Sequence, residues 1–353
     1  MTADILFDTG AIGGLRLRNR ILRAGTSESM AEPASGSMTA PLLDLYERLA
    51  AGGVGGIITG HLFVAARGKY ARGQTGVHDD EMVPGLTRLT ERVHSHGSAI
   101  LAQLAHAGSQ SRVPDNLPVA PSPVPNPLTG NPVEAASSDE ISATVEAFGQ
   151  AARRAVEAGF DGVHIHGANG YLISEFGSPV TNRRDDQWGG DSERRSAFSK
   201  AVVQEVRRSV PPGFPVTMKI GMVDAVPDGL DIDESVARAD SLVDLGLDAV
   251  EVSCGLMQAP TDSANTYVAV GPKRAAQDLL VHRLLSAPRP EAYFRPWAQA
   301  LRARVDTKII LTGGMRTTGT MRQVLESSDA DFIGLARPFI REPDLVSQIL
   351  RGR

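Results

Sequence analysis

The stretch Gly159-Phe-Asp-Gly-Val-His-Ile-His-Gly-Ala-Asn-Gly-Tyr-Leu172 decides the fold. Asp161–His166 reads as a short buried strand, and Gly167 and Gly170 mark the loop that follows it. His166, Asn169 and Tyr171 therefore stand together where a strand gives way to a loop. An imidazole and a carboxamide can both donate to one oxygen, and a phenol beside them can surrender a proton. That set suits the polarisation of a carbonyl compound. Asn182, Arg183, Asp185, Trp188-Gly-Gly190 and Arg194 follow closely.

Outward from this strand, strand-like and helix-like segments alternate almost to the end of the chain. Strands are expected at Asn19–Arg23, Val54–Thr59, Ala99–Leu104, Asp161–His166, Pro215–Ile220, Asp248–Ser253, Thr307–Leu311 and Asp331–Leu335. The helices between and after them fall near Thr39–Ala51, Glu81–His96, Ser138–Ala158, Ser192–Arg208, Asp233–Leu245, Glu291–Arg304, Thr318–Glu326 and Glu342–Arg351. Such alternation argues for parallel βαβ units, and eight units argue for a closed (β/α)8 TIM barrel spanning 1–353 as one domain. Gln103, His166 and Lys219 alternate with Ala102, Ile165 and Met218. By period two, each polar member faces the barrel interior at the C-terminal rim, where barrel active sites lie. The connections Ala107–Ser137 and Cys254–Pro290 are long and irregular, and are expected to roof the pocket.

Composition narrows the function classes. Of 353 residues, 42% are hydrophobic and 22% charged, the formal net charge is −5, and the basic residues are scattered, so no nucleic-acid footprint is expected. Cys254 is the single cysteine, which excludes an intrachain disulfide, a zinc site made wholly of cysteines and a cysteine-ligated cluster. Leu49–Ala66 lacks Asp, Glu, Lys and Arg, but five glycines and His61 interrupt it, so a helix end, loop and strand are expected there and not a membrane span. The N-terminus carries acids where a secretory leader has basic residues, and the expectation is a soluble cytoplasmic protein. One rival reading takes His164 and His166 as metal ligands of a barrel hydrolase, with Asp224, Asp248 or Cys254 completing the set, although no matching spacing supports it.

The block 159–195, together with Leu6-Phe-Asp, Glu291-Ala-Tyr-Phe and Arg337-Pro-Phe-Ile-Arg-Glu-Pro-Asp344, resembles the old yellow enzyme family of FMN-dependent ene-reductases, which is built on a TIM barrel with an N-terminal closing segment. The resemblance covers nearly the whole chain. It implies a bound FMN, NADPH or NADH as reductant, an enone- or enal-type substrate, and a homodimer or homotetramer. Larger relatives carry an iron–sulfur cluster and extra nucleotide-binding domains; from the length and the single cysteine, one barrel without them is expected. His166 and Asn169 would then hold the carbonyl oxygen, hydride would reach the β-carbon from the flavin, and Tyr171 would protonate the α-carbon. Dehydrogenation, demethylation or isomerisation on the same barrel remains an alternative.

The resemblance also implies a flavin cradle. Ala24, Gly25, Thr26 and Ser27 would run along the isoalloxazine, with Ser27 where many relatives have Cys or Thr. Gln103 would meet the pyrimidine edge, since an amide both donates and accepts. Lys219 would sit near flavin N1 and O2, where most members have Arg. His61 stands where relatives often have Ala, and either touches the flavin or is a buried, hydrogen-bonded histidine. Gly313 and Gly314 after the seventh strand, with Ala336 and Arg337 after the eighth, would hold the phosphate. A Gly-Gly pair also serves a plain tight turn; Arg337 on the neighbouring strand favours the phosphate.

Overall fold

A strand buried on both faces must be apolar almost throughout, and eight such runs are what a barrel core needs. In the computed structural model, which describes residues 4–113, 117–126, 130–257 and 290–352, they close on themselves. A hairpin of β1 (Gly10–Ile12) and β2 (Leu15–Leu17) precedes the barrel strands β3 (Ile21–Arg23) and β4 (Gly56–Ile58). A short β5 (Leu62–Phe63) extends the sheet beside β6 (Ala99–Ala105), and β7 (Val119–Ala120) pairs with β8 (Glu134–Ala135) in the long connection that follows. The circuit continues through β9 (Gly162–Gly167), β10 (Val216–Gly221), β11 (Ala249–Ser253), β12 (Lys308–Thr312) and β13 (Phe332–Leu335). β13 pairs with β3 and β4 with β6, all in parallel, so the barrel is closed.

Outside it lie α1 (Ala40–Ala51), α2 (Val83–His94), α3 (Ser138–Glu157), α4 (Leu172–Gly177), α5 (Ser192–Arg208), α6 (Ile232–Asp244), α7 (Arg295–Arg302), α8 (Thr318–Glu326), α9 (Arg337–Arg341) and α10 (Leu345–Leu350). Their starts are legible in local chemistry. Ser137 and Glu140 form a reciprocal capping box on α3, and Asp191 and Asp231 cap α5 and α6. The expected helix at Glu291–Arg304 starts later, at Arg295, because Ala292 takes a positive φ and breaks the turn before it. The expected helix at Glu342–Arg351 starts later, at Leu345, because Pro343 disfavours helical geometry at Glu342, and the short helix Arg337–Arg341 precedes it. Most of the expected Cys254–Pro290 connection, and parts of Ala107–Ser137, fall outside the described residues.

The barrel's two ends differ in kind. At the N-terminal end, Ile12 and Leu17 of the hairpin pack with Leu22, Ile58, Leu101, Ile310 and Phe332 in one apolar cluster. Each such side chain contributes roughly 1.5–3 kcal/mol when fully buried, and the hairpin is the closing segment. A second, larger cluster fills the layer between barrel and helices, with Phe148, Phe176 and Phe198 inside it. The C-terminal end carries the polar residues. Among the described residues, no helix is long and apolar enough to cross a membrane.

Candidate active site

Alternation along β9 turns His164 and His166 to one face, and parallel register sets Lys219 of β10 beside His166 and Glu251 of β11 beside Lys219. Gln103 of β6 faces the same interior, opposite His164. All five are buried. The Lys219 ammonium forms an ion pair with one Glu251 oxygen, and His164 Nε2 lies 3.0 Å from the other. Burial alone would push the Glu251 carboxyl up, but Lys219 and His164 outweigh it and hold the group well below the usual carboxylate range. His164 Nδ1 faces Thr217 Oγ1 at 2.8 Å.

Above this layer the chain turns into its loop. The Asn169 N–H bonds to the Cys254 carbonyl at 2.9 Å, and the Gln110 amide donates to the Asn169 carbonyl at 2.6 Å. Asn169 adopts φ +59°, a left-handed conformation that asparagine tolerates better than most residues. Its Nδ2 donates to Ser253 Oγ at 3.4 Å. The His166 and Tyr171 rings lie 4.5 Å apart, centroid to centroid. His61 and Tyr70 complete the wall: His61 is 5.4 Å and Tyr70 6.0 Å from the Tyr171 ring. Arg112 lies over the far side of Tyr70 at 5.1 Å. Burial pushes the Tyr171 phenol far up, so it stays protonated at any physiological pH. Burial, reinforced by His61, Lys219 and His164, pushes His166 well down, so the ring is neutral and keeps one N–H.

Apart from the His164 and Glu251 atoms held in the ion pairs, two buried side-chain nitrogens here have no hydrogen-bond partner: Gln103 Nε2 and His166 Nδ1. Buried polar groups are nearly always satisfied in folded proteins, so orphaned ones at a rim point to a ligand. Gly25 fits that reading, since a Cβ at that position would stand 2.5 Å from Gln103 Nε2. Ala24 continues the ladder through its bond to Leu335, Thr26 Oγ1 bonds the Ala24 carbonyl at 3.0 Å, and Ser27 Oγ faces Ser29 Oγ at 3.4 Å. The chain thus passes close to Gln103 with small side chains.

Beyond β12, Gly313 and Gly314 take φ +123° and +74°, which favour glycine, and the rings of Tyr293 and Phe294 leave no room for a Cβ. Turn geometry and packing thus already require both glycines. Their N–H groups nevertheless find no backbone acceptor among the described residues, and the buried Thr312 Oγ1 beside them is also unpartnered. Ala336 caps the short helix α9, and Arg337 begins it as an exposed residue. This combination of free donors and a cation suits a phosphate.

Other residues carry weight that the sequence did not reveal. Arg23 pairs with Glu28 at 2.6 Å, Tyr46 donates to the same carboxylate oxygen at 2.7 Å, and Gly60 N–H bonds to Tyr46 at 2.9 Å. This network ties the end of β3 to the end of β4. Glu175 of α4 is wholly buried against Ser109, whose hydroxyl also receives a bond from Asn126 at 2.6 Å. The motif at 182–194 is a loop lock: Asn182 Nδ2 bridges the carbonyls of Phe176 and Trp188, and Arg194 reaches the carbonyl of Asp185 and the carboxylate of Asp191.

The carboxylates named in the metal reading are engaged elsewhere. Asp224 uses its oxygens on Ser178, Leu230 and Leu256, and Asp248 on Arg207 and Val216. His164 is engaged with Thr217 and Glu251, and no group of three His, Cys, Asp or Glu among the described residues could hold an ion.

A parallel barrel with unpartnered nitrogens at its C-terminal mouth, a buried cation and an anion-suited turn after its last two strands has the form of a barrel flavoenzyme. The sequence profile of the NADH:flavin oxidoreductase / NADH oxidase family matches residues 5–353, and the chain belongs to that family. It is 35% identical to an NADPH dehydrogenase of Geobacillus sp., over 96% of this chain and 92% of that one. It is 33% identical to a metal reductase of Desulforamulus reducens over 99% of its own length, and spans about half (49%) of that relative. The solved old yellow enzyme homologue from Zymomonas mobilis superposes with a TM-score of 0.78 at 26% identity, over 98% of this chain and 92% of that one. The family is one of FMN enzymes reduced by NAD(P)H, and the resemblance read from the sequence holds at that level.

Proposed function

We propose that this chain uses FMN and NADPH or NADH to reduce the activated C=C bond of an α,β-unsaturated carbonyl compound. The observation that carries the reading is the pair of buried, unpartnered nitrogens, Gln103 Nε2 and His166 Nδ1, at one barrel mouth beside a protonated phenol. The polar groups present fit FMN: Gly25 and Gln103 at the ring, Lys219 at its pyrimidine side, and Gly313, Gly314, Ala336 and Arg337 at the phosphate, with Ala24, Thr26 and Ser27 alongside. When bound and reduced, FMN supplies the hydride for the β-carbon.

The chain's own residues do the rest. Neutral His166 and the Asn169 amide donate to the substrate carbonyl oxygen and stabilise the charge that gathers there. Tyr171 delivers the proton to the α-carbon, its O–H bond breaking as the new C–H bond forms. Burial of the His61, His166 and Tyr171 rings excludes water from the developing charge. Lys219 brings a cation to the pyrimidine side, and Glu251 holds it in place.

A phenol that occupies the carbonyl site tests this directly. It should bind the flavoprotein and perturb its visible spectrum, and the His166→Ala/Asn169→Ala double variant should bind it at least about tenfold more weakly with FMN retained. Equal affinity in the double variant would place the oxyanion site elsewhere.

A further inference from the structure

His61 and Gln74 meet in a hydrogen-bond arrangement that determines where the His61 proton sits. The Tyr70 N–H lies 2.5 Å from Gln74 Oε1, and Gln74 Nε2 lies 3.0 Å from the His61 carbonyl oxygen. A backbone N–H requires an acceptor and a carbonyl requires a donor, so these two groups fix which end of the amide is nitrogen. The same Nε2 lies 2.7 Å from His61 Nδ1. The amide must therefore donate to Nδ1, and Nδ1 carries no proton. Burial disfavours the imidazolium, against the opposing charge of Glu28. The neutral ring then holds its proton on Nε2, the nitrogen 3.4 Å from Tyr171 Oη. Among the described residues this is the one hydrogen-bond partner of that phenol.

We infer that His61 is a positioning residue for proton delivery: it donates Nε2–H to Tyr171 Oη, so the phenol accepts from His61 and turns its own O–H toward the substrate. This rests on the reaction proposed above. As the Tyr171 O–H bond breaks and the C–H bond at the α-carbon forms, negative charge moves from the substrate to the phenolate oxygen. The His61 N–H already points at that oxygen and stabilises it until a solvent proton restores the phenol. The opposite tautomer would do the reverse, drawing the Tyr171 hydrogen onto the ring and away from the pocket. Gln74 thus acts through His61, and His61 through Tyr171.

Nitrogen-15 NMR of the histidine-labelled holoprotein reads the tautomer directly, with His61 assigned by its loss in His61→Gln. Near neutral pH, His61 should be neutral with the proton on Nε2, and that resonance should shift in Tyr171→Phe. A proton on Nδ1, or an imidazolium, would overturn the inference, and this measurement needs no variant to fold beyond the assignment. Half-reaction kinetics supply the second arm. His61→Leu should slow flavin reoxidation by 2-cyclohexenone about tenfold more than it slows flavin reduction by NAD(P)H, and should enlarge the solvent isotope effect on reoxidation. His61→Gln, which keeps an N–H donor, should recover part of the rate. Equal slowing of both half-reactions in His61→Leu would also overturn it. A wild-type flavin that NAD(P)H reduces but enones ignore would instead overturn the parent reaction, whatever the tautomer.

Discussion

The two ends of the barrel are built from the same eight strands and do opposite things. At the N-terminal end, Ile12, Leu17 and Phe332 close the cylinder with apolar contacts. At the C-terminal end, Gln103 and His166 keep buried nitrogens without partners, and Lys219 and Glu251 place opposite charges out of water. An apolar plug adds stability and does no chemistry. A mouth with orphaned donors gives up stability that a bound ligand restores. Changes at the two ends should therefore separate cleanly into effects on folding and effects on turnover.

The largest expected effect is at the mouth. Tyr171→Phe should slow alkene reduction by about 10²–10⁴-fold in stopped-flow reoxidation, far more than it slows flavin reduction. Comparable losses in both half-reactions would remove Tyr171 from the proton-donor role. Next comes Lys219→Met, which strands Glu251 as a buried, uncompensated charge and should cost about 3–5 kcal/mol in denaturant unfolding. Adding Glu251→Leu should recover much of that loss; no recovery would mean the pair is not the source. At the opposite end, Leu17→Ala should cost about 2–5 kcal/mol while kcat per folded molecule stays the same. A change in kcat there would break the division between the ends.

The last expected effect is one of pH dependence and belongs to Glu175, whose burial pushes its carboxyl up from 4.5 to about 8. A folded-state pKa above the unfolded one means the native protein binds the extra proton. This contribution is complete below pH 4.5 and is lost as pH rises to about 8. Glu175→Gln should flatten the decline of stability across that window, measured by denaturation midpoints at several pH values. An unchanged slope would assign the pH dependence to other groups.

Most of this architecture was legible because parallel barrel strands are buried on both faces and so read as unbroken apolar runs between capped helices. The polar letters at the ends of β6, β9 and β10 stood out against those runs, which is why Gln103, His166 and Lys219 were visible. Glu251 was not, because its importance depends on register with Lys219, a property of two strands together. The helix α4 was hidden for a different reason: six residues, all buried, have no amphipathic period to read. Gln74 lies in a turn-rich segment after β5, and only tertiary contact shows that it sets the His61 proton. His61 has the buried hydrogen bonds that one of its two readings expects, with Gln74 and the phenol as partners.

One measurement tests the central claim most directly: the visible absorption of the purified protein, followed anaerobically through NADPH or NADH and then 2-cyclohexenone. The account predicts flavin bands that bleach with the nucleotide and return with the enone. A colourless protein that cannot be reconstituted with FMN, or a reduced flavin that the enone leaves bleached, would contradict it.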